Sequence, residues 1–196
     1  MTKAEKIKAV REFHARLQEE SAKGSTGVKG KLADFHARDF LMAHGVEDAS
    51  DIRCRAAGKH DWAIRINGRY YYGETKTAAG GWKVTCPGIR AEDIYPDATW
   101  IVYTAEADNL TAENTPDMMF VLTREQFIEL LTVTGRKGLE SSLKYNAKRG
   151  TVEIQQWSVF NRKTGKWVCA RLNKYYDYLE EHGIPTLRDW VETVRG

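Results

Sequence analysis

The sequence is poor in cysteine and has no long apolar run. Its three cysteines, Cys54, Cys86 and Cys169, lie far apart and form no CxxC pair, which predicts neither a disulfide framework nor a zinc site. No apolar stretch approaches the roughly 18 residues that a membrane span needs. The first residues, MTKAEKIKAVREFH, carry charges where a signal peptide is apolar. We therefore expect a cytoplasmic protein with reduced thiols and no membrane partner.

Several well-known catalytic signatures are also missing. The chain has no GxSxG, no HExxH, no Walker phosphate loop and no dinucleotide fingerprint. It has no internal repeat and no low-complexity segment. At 196 residues and 42% apolar content, it is long enough to bury a core in one domain with a small appended part.

Charge is divided unevenly along the chain, although the net charge is only +3. Residues 1–52 are balanced, whereas residues 53–90 hold 8 basic and 2 acidic side chains. Residues 91–130 hold 1 basic and 9 acidic side chains, and residues 131–175 hold 10 basic and 2 acidic ones. Residues 176–196 hold 2 basic and 5 acidic side chains. Two basic blocks favour a positive face that attracts nucleic acid, or else the charges are scattered over a solvated surface.

The pattern of apolar residues and turns predicts an α/β (α+β) domain with a mixed β-sheet flanked by helices. An amphipathic helix occupies residues 1–24, a connector residues 21–30, and a second helix about 31–44. We predict a core over 27–135 and a basic, aromatic-rich α/β extension over 136–196. Within them we expect strands at 52–55, 61–66, 69–77, 100–105 and 118–122, helices at 124–135, 137–148, 174–182 and 187–194, and a hairpin over 151–170.

The hairpin at residues 61–77 carries a carboxylate on each arm. Asn67-Gly68 suits a two-residue turn, so each residue n faces residue 135 − n and Asp61 faces Glu74. Opposed carboxylates at roughly 5 Å destabilise a sheet unless something compensates. Lys76, two residues beyond Glu74, lies on the same face.

Two facing carboxylates suit Mg²⁺ or Mn²⁺, and a lysine beside them can orient water or offset charge on a phosphate. The alternative is an exposed face on which Lys76 pairs with Asp61 or Glu74 and nothing is catalysed. Asp34 opens the apolar face of the second helix and points toward the sheet, unless it forms a surface pair with Arg38.

These residues resemble the PD-(D/E)xK phosphodiesterases, a superfamily with the restriction-endonuclease-like fold. Residues 29–77 resemble most closely the archaeal Holliday-junction resolvases. The shared features are a KG start to a helix, a helix ending in HG, an Arg-containing strand, Gly-x-x-Asp and ExK. In this chain they are Lys29-Gly30, His44-Gly45, Arg53, Gly58 to Asp61 and Glu74 to Lys76.

The resemblance implies a role for each residue of the candidate site. Asp61, Glu74 and the backbone carbonyl of Thr75 would bind Mg²⁺, with Mn²⁺ as a substitute, and Lys76 would be the catalytic lysine. Asp34 stands where the family has a longer glutamate, so it would reach the metal through water. His60 replaces a common proline. Beyond about Trp82 nothing matches the resolvases, so junction specificity is not implied.

Residues 144–176 interleave basic and aromatic side chains, which suits contacts to phosphates and exposed bases. The alternative is an aromatic core with a solvated basic rim. We predict DNA contacts at Lys59, His60, Lys83, Arg149, Arg162, Lys163 and Lys166.

The sequence thus favours a metal-dependent DNA nuclease, an endonuclease more than an exonuclease, which could act as a homodimer. A non-catalytic nucleic-acid-binding or accessory protein with the same fold is the alternative. A purely structural domain is a weaker interpretation.

Overall fold

The computed structural model describes residues 26–44, 47–48, 61–66, 68–78, 83–87, 90–95, 98–135, 143–155, 158–163 and 165–195. The predicted helix over 1–24 and the predicted strand over 52–55 lie outside these ranges. In the described part no helix is long and apolar enough to cross a membrane.

A mixed five-stranded sheet forms the centre of the fold. Its strands are β1 (Glu47–Asp48), β2 (Trp62–Ile66), β3 (Arg69–Thr77), β5 (Trp100–Thr104) and β6 (Phe120–Leu122). They lie in the order β1-β2-β3-β5-β6. Strand β3 pairs in parallel with β5, and the other pairs are antiparallel. The central position of β3 holds the predicted ExK motif between two neighbouring strands.

Two smaller sheets lie outside the central one. The first has the order β4-β8-β7, and the second is the hairpin β9–β10 alone. Their strands are β4 (Lys83–Pro87), β7 (Leu143–Asn146), β8 (Thr151–Gln155), β9 (Ser158–Asn161) and β10 (Lys166–Cys169). Val152 of β8 and Cys86 of β4 are buried, which anchors the first of these sheets to the core.

Helices cover both faces of the central sheet. They are α1 (Thr26–Ala43), α2 (Thr115–Met118), α3 (Arg124–Thr134), α4 (Leu172–Glu181) and α5 (Leu187–Arg195). Neighbouring residues of β5 point to opposite faces of the sheet and enter two different apolar clusters. Val102 packs with residues of α1 and α5, whereas Tyr103 packs with residues of α3 and α4. The predicted α/β class, with a mixed sheet between helices, is confirmed.

Local chemistry explains where several elements begin. Helix α3 starts at a capping box in which the Thr123 hydroxyl accepts from the Gln126 N–H and the Gln126 side chain accepts from the Thr123 N–H. The predicted helices near the C-terminus are confirmed as α4 and α5. Helix α1 begins at Thr26, inside the predicted connector.

The sequence prediction was wrong over residues 143–148. Where a helix was predicted over 137–148, residues 143–146 form strand β7, because pairing with β8 outweighs the helical propensity of a short polar segment. Residues 137–142 lie outside the described ranges. The predicted hairpin over 151–170 is confined to β9–β10, since residues 151–155 pair with β4 and β7. The domain boundaries stay a prediction.

Candidate functional site

Asp61 is fixed against strand β3 by two backbone hydrogen bonds. Its N–H donates to the Gly73 carbonyl at 3.1 Å, and its Oδ2 accepts from the Thr75 N–H at 2.9 Å. The register pairs Ile66 with Arg69 and Trp62 with Gly73, which confirms the predicted facing rule. The next step of that register brings Asp61 across from Glu74.

Lys76 joins the two carboxylates. Its Nζ lies 3.1 Å from Glu74 Oε2 and 3.4 Å from Asp61 Oδ2. The lysine compensates for the repulsion that two opposed carboxylates cause in a sheet. The predicted grouping of Asp61, Glu74 and Lys76 on one face is therefore present, although their catalytic roles stay a prediction.

Burial distinguishes the two carboxylates. Glu74 is only 3% exposed, whereas the Asp61 side chain is 35% exposed. Desolvation, and then the charge of Asp61, raise the pKa of Glu74 from its ordinary value of 4.5 to about 8. Burial lowers the pKa of Lys76, but the two carboxylates outweigh this and raise it overall. The face is thus not the solvated surface of the alternative interpretation.

Asp34 of α1 points toward this cluster. Its Oδ1 is buried and has no hydrogen-bond partner among the described residues. Desolvation, and then the charge of Asp61, raise the pKa of Asp34 from 3.8 to about 6, while Arg38 opposes the rise without cancelling it. Asp34 therefore interacts with charges of the cluster as well as with Arg38, and its role in the site stays a prediction.

Two residues that the sequence analysis did not single out for the site, Tyr95 and Cys86, lie near Lys76. The Tyr95 ring centroid is 5.2 Å from Lys76 Nζ, within the range of a cation–π contact. Tyr95 has φ +45, a backbone conformation that a bulky residue rarely adopts. Its side chain shares a hydrogen bond with the free, buried thiol of Cys86, whose pKa is raised to about 12 by burial. No motif marks either residue, since both reach the site only through the fold.

The donor atoms of the site fit a divalent metal. Carboxylate oxygens suit Mg²⁺, which keeps several waters and adds phosphate oxygens as ligands. Asp34 has a buried Oδ1 without a hydrogen-bond partner among the described residues, and the charge of Asp61 acts on it, so it would hold a water bound to the metal. Within the described ranges no group of three or more His, Cys, Asp and Glu side chains is arranged to hold a metal. A metal would therefore rely on two protein carboxylates and on water.

The predicted DNA-contacting residues fall into three groups. Arg149, Arg162 and Lys163 are exposed at hairpin turns. Lys83 begins β4 and Lys166 begins β10, but their side chains lie outside the described set. The third group, Lys59 and His60, lies outside the described residues altogether. Of the aromatics in this region, Tyr175 is buried, whereas Tyr145, Phe160 and Tyr176 are exposed.

Comparison with known proteins identifies no family. No protein-family model and no curated protein matches the chain. Among solved structures a bacterial homing endonuclease is similar: the match covers 82% of this chain and 98% of that one, at 15% identity and a TM-score of 0.36. A likeness at this level carries no argument about function, so the function must be argued from the site itself.

Proposed function

We propose that this protein is a metal-dependent nuclease that hydrolyses DNA phosphodiester bonds, as an endonuclease rather than an exonuclease. One observation carries the proposal: Lys76 Nζ lies within 3.4 Å of a carboxylate oxygen of both Asp61 and Glu74, near the end of β3. A buried glutamate beside a second carboxylate, with the unpaired, buried Oδ1 of Asp34 nearby, is costly for stability. Such a cost is typical of a site kept for chemistry.

Each residue has a defined part in this proposal. Asp61 and Glu74, with the Thr75 carbonyl, would hold Mg²⁺ or Mn²⁺, and Asp34 would hold a water that completes the shell. The metal, when bound, supplies a Lewis acid for the phosphate and a more acidic water. Lys76 would orient the attacking water or offset charge that builds on the phosphate.

Lys76 and a metal compete for the same carboxylate oxygens. The ammonium contacts both Asp61 and Glu74, so a divalent cation that binds there must weaken these contacts. Removal of Lys76 should then strengthen metal binding while it abolishes cleavage. Removal of Asp61 should weaken both.

The proposal is tested by nicking of supercoiled plasmid in EDTA, Mg²⁺ and Mn²⁺. We expect metal-dependent cleavage that falls at least about 100-fold in Lys76→Ala and Asp61→Asn. Lys174→Ala and Asp177→Asn, exposed on α4, are matched controls and should cleave normally. Mn²⁺ titration should show tighter binding for Lys76→Ala and weaker binding for Asp61→Asn. No cleavage of duplex, single-stranded or branched DNA by the wild type would contradict the proposal.

A non-catalytic DNA-binding protein is the second candidate, and one observation favours it. Lys76 already pairs with both carboxylates, so the cluster is neutralised in part without a metal. DNA binding with neither cleavage nor Mn²⁺ binding would support this candidate.

The proposal includes a homodimer. If cleavage is found on both strands, two copies related by a two-fold axis would supply the two sites.

A further inference from the structure

The hairpin β9–β10 is a two-stranded ribbon outside the central sheet. It pairs Asn161 with Lys166 at the turn and Ser158 with Cys169 at the other end, and no third strand joins it within the described ranges. Val159 is 42% exposed and Phe160 is 49% exposed. Because neighbouring residues of a strand point to opposite faces, each face of the ribbon is half exposed at one of these two positions.

The turn of this ribbon is held in a defined shape. The Asn161 side-chain oxygen accepts from the Lys163 N–H at 2.9 Å, and the Asn161 carbonyl accepts from the Gly165 N–H at 2.9 Å. Gly165 has φ +65, which closes the turn at no steric cost. Arg162 and Lys163 are therefore presented, exposed, from an ordered backbone.

The β7–β8 hairpin has a turn of the same length. Four residues separate the paired Asn146 and Thr151, and the Arg149 N–H donates to the Asn146 carbonyl and side chain. Gly150 closes this turn with φ +61, as Gly165 closes the other. Lys148 and Arg149 are the second and third residues of this turn, whereas Arg162 and Lys163 are the first and second of the other. The two turns thus carry equal charge, but only β7–β8 is anchored to the core through β4.

The charge of the ribbon selects its partner. Residues 158–169 contain Arg162, Lys163 and Lys166 and no acidic residue, so the ribbon attracts a polyanion. The exposed acids of a second copy, such as Asp177 of α4, are single charges spread over a folded surface, whereas duplex DNA presents a continuous row of phosphates.

The size of the ribbon selects the groove. Two strands lie roughly 4.8 Å apart, and with their side chains they match the major groove of B-DNA, about 12 Å wide, but not the minor groove, about 6 Å wide. Basic residues at the tip then meet phosphates on the groove edges.

We propose that the β9–β10 ribbon enters the major groove of duplex DNA, with Arg162 and Lys163 on the flanking phosphates. This deepens the proposed function, on which it rests only in taking DNA as the ligand. The ribbon holds the duplex, and the Asp61–Glu74–Lys76 cluster cleaves it. Binding by the ribbon does not require a metal.

Fluorescence anisotropy in EDTA tests the inference without cleavage, on a labelled 40-base-pair duplex. Arg162→Ala/Lys163→Ala should weaken binding about tenfold and lower the slope of log K against log salt by about 2. Lys148→Ala/Arg149→Ala is the matched control, since it removes equal charge from the same kind of turn, and it should weaken binding less. Circular dichroism and melting should show that both double variants are folded.

A duplex whose major groove is filled tests which groove the ribbon enters. A duplex with glucosylated hydroxymethylcytosine, which fills the major groove, should bind the wild type about tenfold more weakly than plain duplex. The Arg162→Ala/Lys163→Ala variant should discriminate much less. Netropsin, which fills the minor groove, should leave wild-type binding unchanged.

Three results would overturn the inference. These are competition by netropsin but not by glucosylation, an equal loss in the two double variants, and wild-type dimers that dissociate when Arg162 and Lys163 are removed. If the ribbon binds as described but no metal-dependent nicking is found, the inference stands and the proposed nuclease activity fails.

Discussion

Two hairpins of this protein use similar residues in opposite surroundings. The β2–β3 hairpin is enclosed by strand β5 and by helices, and its Trp62 is only 2% exposed. The β9–β10 hairpin has no strand beside it in the described part of the chain, and its Phe160 is half exposed. Burial in the first hairpin raises the pKa of Glu74. Exposure leaves charge in the second available for contact with a polyanion.

The largest difference should appear when one glycine of each hairpin is replaced by alanine. A Cβ on Gly73 would lie 1.8 Å from the Trp62 ring, a clash that the buried indole cannot avoid without moving. We expect Gly73→Ala to lower the free energy of unfolding by about 3 kcal/mol and to displace Glu74. Gly165→Ala meets no atom within 4 Å but keeps φ +65, so it should cost about 1 kcal/mol. Urea unfolding of both variants measures the difference, and equal losses would refute the contrast.

The second prediction concerns pH. Glu74 has a pKa raised to about 8, above its ordinary value of 4.5. Between these values the unfolded chain releases this proton while the folded protein keeps it, so the contribution of Glu74 to stability is lost as pH rises. Without metal, wild type should lose on the order of 2 kcal/mol relative to Glu74→Gln between pH 5 and pH 8.

Thermal unfolding in EDTA and in Mg²⁺ checks this expectation. Mg²⁺ binds the ionised carboxylate, so it should stabilise the wild type at pH 8 far more than at pH 5. Glu74→Gln should show little of either effect. A wild-type stability that rises from pH 5 to pH 8 in parallel with Glu74→Gln would show that Glu74 ionises normally.

The smallest effect should come from Tyr95. Its ring faces Lys76, and a cation–π contact is worth about 1 kcal/mol. We expect Tyr95→Leu to lower kcat about fivefold without a matching change in KM. Tyr95→Phe keeps the ring and should retain most activity. Since Leu, Phe and Tyr share the cost of a positive φ, equal kcat values for the two variants would exclude a role for the ring.

The comparison of the hairpins also shows what sequence reasoning can reach. The β2–β3 register followed from Asn67-Gly68, because a two-residue turn fixes every later pair. That rule placed Asp61 opposite Glu74 without any knowledge of the fold. Residues 143–146 were misread although their partner strand begins only five residues later, because the turn at 147–150 was not recognised, and β propensity depends on the partner strand that such a turn supplies.

The supporting residues of the site were beyond local reasoning. Tyr95 lies nineteen positions after Lys76 in a segment without periodicity, and Cys86 packs against it from another sheet. Asp34 was placed on the apolar face of its helix, but its buried, unpaired oxygen depends on the packing of α1 against β3. Such contacts arise from tertiary packing, which no spacing of residues encodes.

The Trp62–Gly73 pair has a consequence for how this protein can diverge. The indole occupies the volume that any side chain at position 73 would need, so the two positions cannot change independently. A related chain with a larger residue at 73 must carry a smaller one at 62. An alignment of relatives should therefore show these two positions covarying in size, one step along the strand from the Glu74 carboxylate.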